Sequence, residues 1–270
     1  MTRAAAAALV GAALVAGGGC KRGEKAPSAP SPSTAAASPA PSARALYDRA
    51  KVELDAKAIG SAVADFTKAT TMTTDPELRA NAWLGLGAAY GELDDHEHAI
   101  AAYEQVTVLR PDDPDAWRVL AEGLDAAGRH DRQAAALEHV VALDPDDLSA
   151  YLDLAGLDAA VGKMDASKDV YLRYETRRRE AVVQLGKSPK PEDRAAAAEA
   201  LGGARDAGTA RALVFALTDK DVGVRVACAQ ALGRIGVDID PEVRPALHAL
   251  MNKETDVKVR NAVDAALAAR

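Results

Sequence analysis

Residues Trp83–Pro111 read WLGLGAAYGELDDHEHAIAAYEQVTVLRP, and residues Trp117–Pro145 read WRVLAEGLDAAGRHDRQAAALEHVVALDP. Aligned at an offset of 34 residues, the two share one frame. Trp83, Leu86, Gly87 and Tyr90 stand over Trp117, Leu120, Ala121 and Leu124; Ala99, Tyr103 and Val106 stand over Gln133, Leu137 and Val140; Pro111 stands over Pro145. A third copy continues with Tyr151, Leu154, Ala155, Asp158, Ser167, Tyr171 and Tyr174, and carries Arg179 where the proline should fall. A degenerate earlier copy, over about 43–79, puts Leu46, Ala50, Ala62, Phe66 and Ala69 in frame. A fixed period of this length marks stacked supersecondary units that bury their apolar faces only against their neighbours. Within each copy the apolar residues recur at helical spacing, so each half of a unit reads as an amphipathic helix. Asp113 and Asp147 fall where helix N-caps belong, and Pro114 takes the first helical position. Gly91, Gly128 and Gly162 fall near the turns between paired helices.

This pattern resembles the tetratricopeptide repeat, a pair of antiparallel helices in which the small residue at Gly87, Ala121 or Ala155 lets the first helix approach the second. The resemblance implies a concave groove, lined by first-helix residues, that receives an extended peptide. In this frame the groove residues are Tyr47, Lys51, Asn81, Leu84, Arg118, Glu122, Asp125 and Leu152. Some members clamp the C-terminal carboxylates of chaperones with a specific Lys/Asn/Arg set. Here Lys51 is the only basic groove residue of the first copy, and Leu84 and Ala88 stand in the second, so that ligand is disfavoured.

Beyond GKSPKP at 186–191, which reads as a helix stop and a domain junction, the pattern changes. Asp193-Arg194 precedes Ala197 and Ala200-Leu201-Gly202; Asp221-Val222-x-Val224-Arg225 precedes Cys228 and Ala231-Leu232-Gly233; Asp256-Val257-x-Val259-Arg260 precedes Val263 and Ala266-Leu267. These copies resemble HEAT-like repeats, a type also found in phycobilin lyases. Each aspartate can cap a helix, and each arginine can pair with an aspartate of the neighbouring copy. Cys228 occupies the small buried position of Ala197 and Val263, so it reads as core and not as a nucleophile.

The N-terminal end reads as an address. Met1-Thr2-Arg3 is a short positive start, Ala4 to Val15 is an uncharged apolar run, and Gly17-Gly18-Gly19 leads to Cys20. Small residues before a lone cysteine resemble a lipobox, in which the cysteine is acylated; Gly17 departs from the large aliphatic residue usual three positions before it. Residues 1–20 then form a lipoprotein signal, Cys20 is the lipid attachment site, and the Pro/Ser/Ala-rich segment 21–42 is a disordered tether reaching up to about 70 Å at roughly 3 Å per residue. Lys21 stands where an aspartate marks inner-membrane retention in some bacteria, which points to the periplasmic face of the outer membrane. The domain organisation expected is thus 1–20 signal, 21–42 linker, 43–185 tetratricopeptide-like array, 186–191 linker and 192–270 HEAT-like array.

Composition agrees with an all-α solenoid. Aromatic residues are 4% of the 270, and alanine, which favours helices and lets them approach closely, is abundant. A net charge of −7 argues against nucleic-acid binding, which needs a basic face. Asp94, Asp95, His96, Glu97 and His98 could be taken for a metal cluster, but residues two apart on a helix diverge, and two histidines do not make a closed site. Arg177-Arg178-Arg179 could meet an anionic partner, or could complement the dipole at a helix C-terminus. No phosphate-cradling loop, nucleophile elbow or HExxH pair is present. The expectation is a non-enzymatic scaffold or adaptor of the cell envelope, without cofactor, that binds a protein or extended peptide. Two other readings are an enzyme or enzyme accessory subunit, suggested by the lyase-like repeats, and a passive spacer.

Overall fold

A computed structural model describes residues 40–269. The lipobox, Cys20 and nearly all of the expected tether lie outside the described residues. Residues 41–270 group as one compact unit. Among the described residues there are thirteen helices and no strand: α1 (Ala43–Asp55), α2 (Ile59–Met72), α3 (Pro76–Gly91), α4 (His96–Leu109), α5 (Pro114–Ala126), α6 (His130–Leu143), α7 (Leu148–Ala160), α8 (Met164–Lys187), α9 (Pro191–Leu201), α10 (Ala207–Ala216), α11 (Val222–Ile235), α12 (Val243–Lys253) and α13 (Val257–Ala268). No described helix is long and apolar enough to cross a membrane.

The 34-residue frame maps onto the core. Leu46, Ala50, Ala62, Phe66 and Ala69 of the degenerate copy are all buried, as are Leu86, Ala99, Val106, Leu120, Leu124, Leu137, Val140, Tyr151 and Leu154 of the later copies. Gly85 and Gly87 explain how paired helices come so close: a Cβ on Gly85 would stand 2.5 Å from the Phe66 ring, and one on Gly87 would overlap the Tyr103 ring. Tyr171 departs from the frame. It is half exposed, because the helix that follows is α9 and not another first helix of the same kind; α8 turns Val170, Tyr174, Ala181 and Leu185 inward instead.

Helix starts follow local chemistry. Asp75, Asp95, Asp113, Asp147, Asp206, Asp221 and Asp256 each accept a backbone N–H of the first turn. Asp193 does not cap α9. It lies within the first turn, where it accepts the Ser188 hydroxyl at 2.9 Å, because Pro191 already takes the first helical position. Left-handed residues at the turns between paired helices are Lys57 (φ 59°), Asp94 (φ 56°), Gly128 (φ 66°) and Gly162 (φ 82°); Gly91 remains helical, so Asp94 takes that role in the second copy.

Ion pairs bind neighbouring units. Arg129–Glu97 at 2.5 Å and Lys163–Asp131 at 2.7 Å are the same rung moved by one repeat. In the second array Arg194 grips Asp219 with two nitrogens, at 2.7 and 2.9 Å, and donates to the Ser188 carbonyl. Arg225 repeats this with Glu254 at 2.8 Å and the Asp219 carbonyl at 2.9 Å. The acid of each rung stands two residues before the capping aspartate, which leaves the cap free to hold its own helix. Hydrogen bonds from these arginines hold the Asp219 and Glu254 carboxyls below their ordinary range.

The two arrays share α8. It packs on both α7 and α9, its Arg178 reaches Asp206 before α10 at 3.6 Å, and only 188–190 separate it from α9. Arg177, Arg178 and Arg179 therefore sit mid-helix, far from the C-terminal dipole, and are matched locally by Glu180 and Glu175.

Candidate partner-binding face

The eight groove residues lie on α1, α3, α5 and α7, and the structure divides them by what they touch. At one end Tyr47 is half-buried, its ring 5.9 Å from that of Phe66, with the Lys51 ammonium 5.7 Å above it. Asn81 is occupied: its carbonyl accepts the Arg110 guanidinium at 2.9 Å, and that guanidinium also pairs with Glu77 at 2.6 Å. Leu84 and Leu152 are partly buried. Arg118 pairs with Asp147, the N-cap of α7, at 2.5 Å, and so joins one unit to the next. Glu122 and Asp125 are exposed, and no cation pairs with either among the described residues. The charge of Glu122 reaches the floor of the face, where burial first and that carboxylate second raise the Tyr103 phenol above its usual range. Tyr103 itself is wedged between Gly87 of α3 and Gly123 of α5.

Sequence reasoning missed Asp153 and Arg205. Asp153 follows Leu152 on α7, and its carboxylate stands 3.4 Å from Arg205, which comes from the loop after α9. Burial raises the Asp153 carboxyl; Arg205 and Arg118 oppose that shift, and Asp147 and Asp125 add to it. The second array thus contributes to the face of the first. The contact depends on Gly203, whose Cβ would stand 2.8 Å from the Ser149 backbone nitrogen. Asp147, Ser149, Glu199, Gly203, Arg205 and Arg234 border a cavity of 570 Å³ at this junction.

The direction at Asp153 gives a pH prediction. Its folded carboxyl binds a proton more readily than the unfolded one, so the charged form costs stability at neutral pH, and the cost disappears as pH falls below the unfolded value. The side chain is 49% exposed and paired with Arg205, so screening keeps the effect small: Asp153→Asn is expected to raise the melting temperature slightly at pH 7, with the gain vanishing on acidification. Paired melting curves from pH 7 down to pH 3 check this, and a lower melting temperature at pH 7 would refute it.

The other candidates resolve into structure. Asp95 caps α4 and accepts the His98 ring nitrogen at 2.8 Å, His98 stacks on Tyr90, and Glu97 belongs to the Arg129 rung. Among the described residues no group of three or more His, Cys, Asp or Glu is placed to hold a metal. Cys228 is fully buried, and burial pushes its thiol up to about 12, which leaves almost no thiolate at neutral pH.

A family model for HEAT repeats matches residues 179–268, and one for the tetratricopeptide repeat matches residues 80–123. The fold is an all-α repeat solenoid. The HEAT match begins inside α8, the helix that both arrays share. Solved structures similar to this chain include MamA, at 22% identity over 51% of this chain and 79% of that one (TM-score 0.44). YrrB, described as a TPR protein with an unusual peptide-binding site, is 17% identical over 77% of this chain and 91% of its own (TM-score 0.43). The C-terminal part of a TPR repeat-containing protein from Cytophaga hutchinsonii is 17% identical over 78% and 74% (TM-score 0.46). No curated protein sequence matches the chain. These likenesses concern fold class, and the assignment rests on the chain's own helices and on the two family models.

Proposed function

We propose that the chain is a protein-interaction scaffold whose partner, an extended segment of another protein, lies along the face formed by α1, α3, α5 and α7. One observation carries this reading. Asn81 and Arg118 are consumed by contacts that hold the solenoid together, whereas Glu122 and Asp125 stand exposed on the same face, between the partly exposed side chains of Leu84 and Leu152. A face with unengaged charge beside accessible apolar surface suits the reading of a peptide with both characters. Repeat stacks of this kind present long surfaces and not deep clefts, which also favours binding over catalysis. We further propose that Cys20 is lipidated, that residues 21–42 tether the solenoid, and that it works as an adaptor at the periplasmic face of the cell envelope, on the outer membrane in preference to the inner. The support for this part is the lipobox-like sequence alone.

The test is a cross-linked pull-down from native membranes with tagged full-length protein, beside Glu122→Lys/Asp125→Lys and Cys20→Ser forms. Both groove positions are exposed, so the double variant should keep its melting temperature. The expected result is one defined envelope protein recovered by the parent, lost at least tenfold with the charge-reversed face, and a Cys20→Ser form released to the soluble fraction. Equal recovery by the charge-reversed form would overturn the assignment of the face, and membrane retention of Cys20→Ser would overturn the anchor.

A further inference from the structure

A second surface, on the other array, has a different character. Its first helices close on one another through small residues: a Cβ on Gly233 would stand 3.0 Å from the backbone of Ala266, so α11 and α13 pack tightly. Helices α8, α10 and α12 carry larger side chains and leave clefts between them. One, of 560 Å³, is lined by Val182 and Leu185 of α8 and by Ala212 and Phe215 of α10, with Lys220 at its rim. The next, of 470 Å³, is lined by Val214 and Leu217 on one side and by Ala246 and Leu250 of α12 on the other, with Lys253 at its rim. Thr218 and Asp219 border both, so the clefts are contiguous. On the ridge between them Phe215 is 80% exposed, the most exposed large apolar side chain described. A phenyl ring held in water beside two apolar clefts marks a surface that gains by being covered.

The charge lining the two clefts also leans one way, although Glu192 stands exposed two residues from Lys190, outside both clefts. Asp219 and Glu254 are consumed by Arg194 and Arg225, while Asp221 and Asp256 cap their helices. Lys187, Lys190, Lys220 and Lys253 remain exposed, and among the described residues none has a carboxylate in an ion pair. Lys220 lies near enough to lower the Asp219 carboxyl, but Arg194 holds both oxygens of that group. On a chain of net charge −7, Lys220 and Lys253, one at each cleft and neither in an ion pair among the described residues, give the clefts a local excess of positive charge.

We propose that the α8–α10–α12 surface receives an amphipathic helix of another protein, with its apolar face over Phe215 and in both clefts and an acidic flank toward Lys220 and Lys253. The spacing suits a helix. Neighbouring packed helices stand roughly 8–10 Å apart, and two turns of a helix advance about 10.5 Å, so apolar residues seven apart meet successive clefts. Other occupants fit less well. The chain's own apolar run Ala4–Val15 has no carboxylate, a second copy would set lysine against lysine, and a flat bilayer would cover Phe215 but leave the clefts unfilled. This surface is separate from the α1–α3–α5–α7 face, so either can fail without the other.

The test uses the full-length chain and a displayed library of helical peptides with large apolar residues at i, i+3 or i+4, and i+7 and every charge pattern on the flanks. Selection is expected to enrich Asp and Glu on one flank. The enriched peptides should lose at least tenfold in affinity on Phe215→Glu and on Lys220→Glu/Lys253→Glu, weaken as salt rises, and bind Glu122→Lys/Asp125→Lys as well as the parent. Absence of binders, enrichment of neutral or basic flanks, or equal binding to Phe215→Glu would overturn the proposal. So would a Phe215-dependent shift to dimer in sedimentation, or Phe215-dependent binding to phosphatidylglycerol vesicles in place of peptide.

Discussion

Phe66→Ala is expected to destabilise the protein by about 3–5 kcal/mol, the usual cost of emptying a buried phenyl site. The ring is fully buried among Ala50, Ala62, Leu86, Ala89 and Ala102, and it lies against the backbone of α3 where Gly85 has no side chain. Alanine methyls and helix backbone form part of the wall and cannot swing in, and Leu86 and the Tyr47 ring can close only part of the hole, so collapse is limited. The reverse change tests the same contact: Gly85→Leu overfills the site and should cost about 1–3 kcal/mol. Because the two residues share one volume, Phe66→Ala/Gly85→Leu should lose less than the sum of the single losses. Urea melts of the four proteins check this. Strict additivity would mean that the ring and Gly85 are not in contact.

Gly203→Val is expected to uncouple the two arrays. A side chain there meets the Ser149 backbone nitrogen, which donates to the capping carboxylate of Asp147, so the loop after α9 must lift away from α7. Lifting it weakens the Asp147 cap, the Arg118–Asp147 pair and the Arg205–Asp153 pair together. Gly202→Ala is the control. The atoms nearest its methyl belong to the exposed Arg234 guanidinium, the far end of a flexible side chain that can move aside at the cost of its hydrogen bond to the Glu199 carbonyl. Trp83 and Trp117 are the only tryptophans, and both lie in the first array, so fluorescence follows that array while far-ultraviolet circular dichroism follows all the helices. The parent and Gly202→Ala should show coincident transitions, and Gly203→Val should show two. Coincident, unshifted melts in Gly203→Val would contradict the docking of the arrays through this loop.

The stacking of helices was legible in the sequence wherever a position faces its own repeat. Leu46, Phe66, Leu120, Leu137 and Cys228 are buried because one period brings the same partner to each. What escaped was set by long-range context. Tyr171 keeps the frame but loses its cover, because a different kind of repeat follows; Arg177–Arg179 lie mid-helix because α8 continues to Lys187 to serve both arrays. Likewise, Asp153 and Arg205 are 52 positions apart in sequence and meet only through the turn at Gly203. The eight expected groove residues lie on α1, α3, α5 and α7, but periodicity carries no information on which charges are already spent. Arg118 and Asn81 are spent on neighbouring units, and Glu122 and Asp125 are not.

Whether a partner lies along the α1–α3–α5–α7 face is decided by site-specific photo-cross-linking. A photoreactive residue placed at Glu122, on that face, is compared in native membranes with one placed at Glu138 on α6, where the side chain pairs with Arg173. The expected result is a single covalent adduct with one protein from position 122, competed away by excess unlabelled full-length chain, and none from position 138. An adduct from position 138 alone, or equal adducts from both, would contradict it.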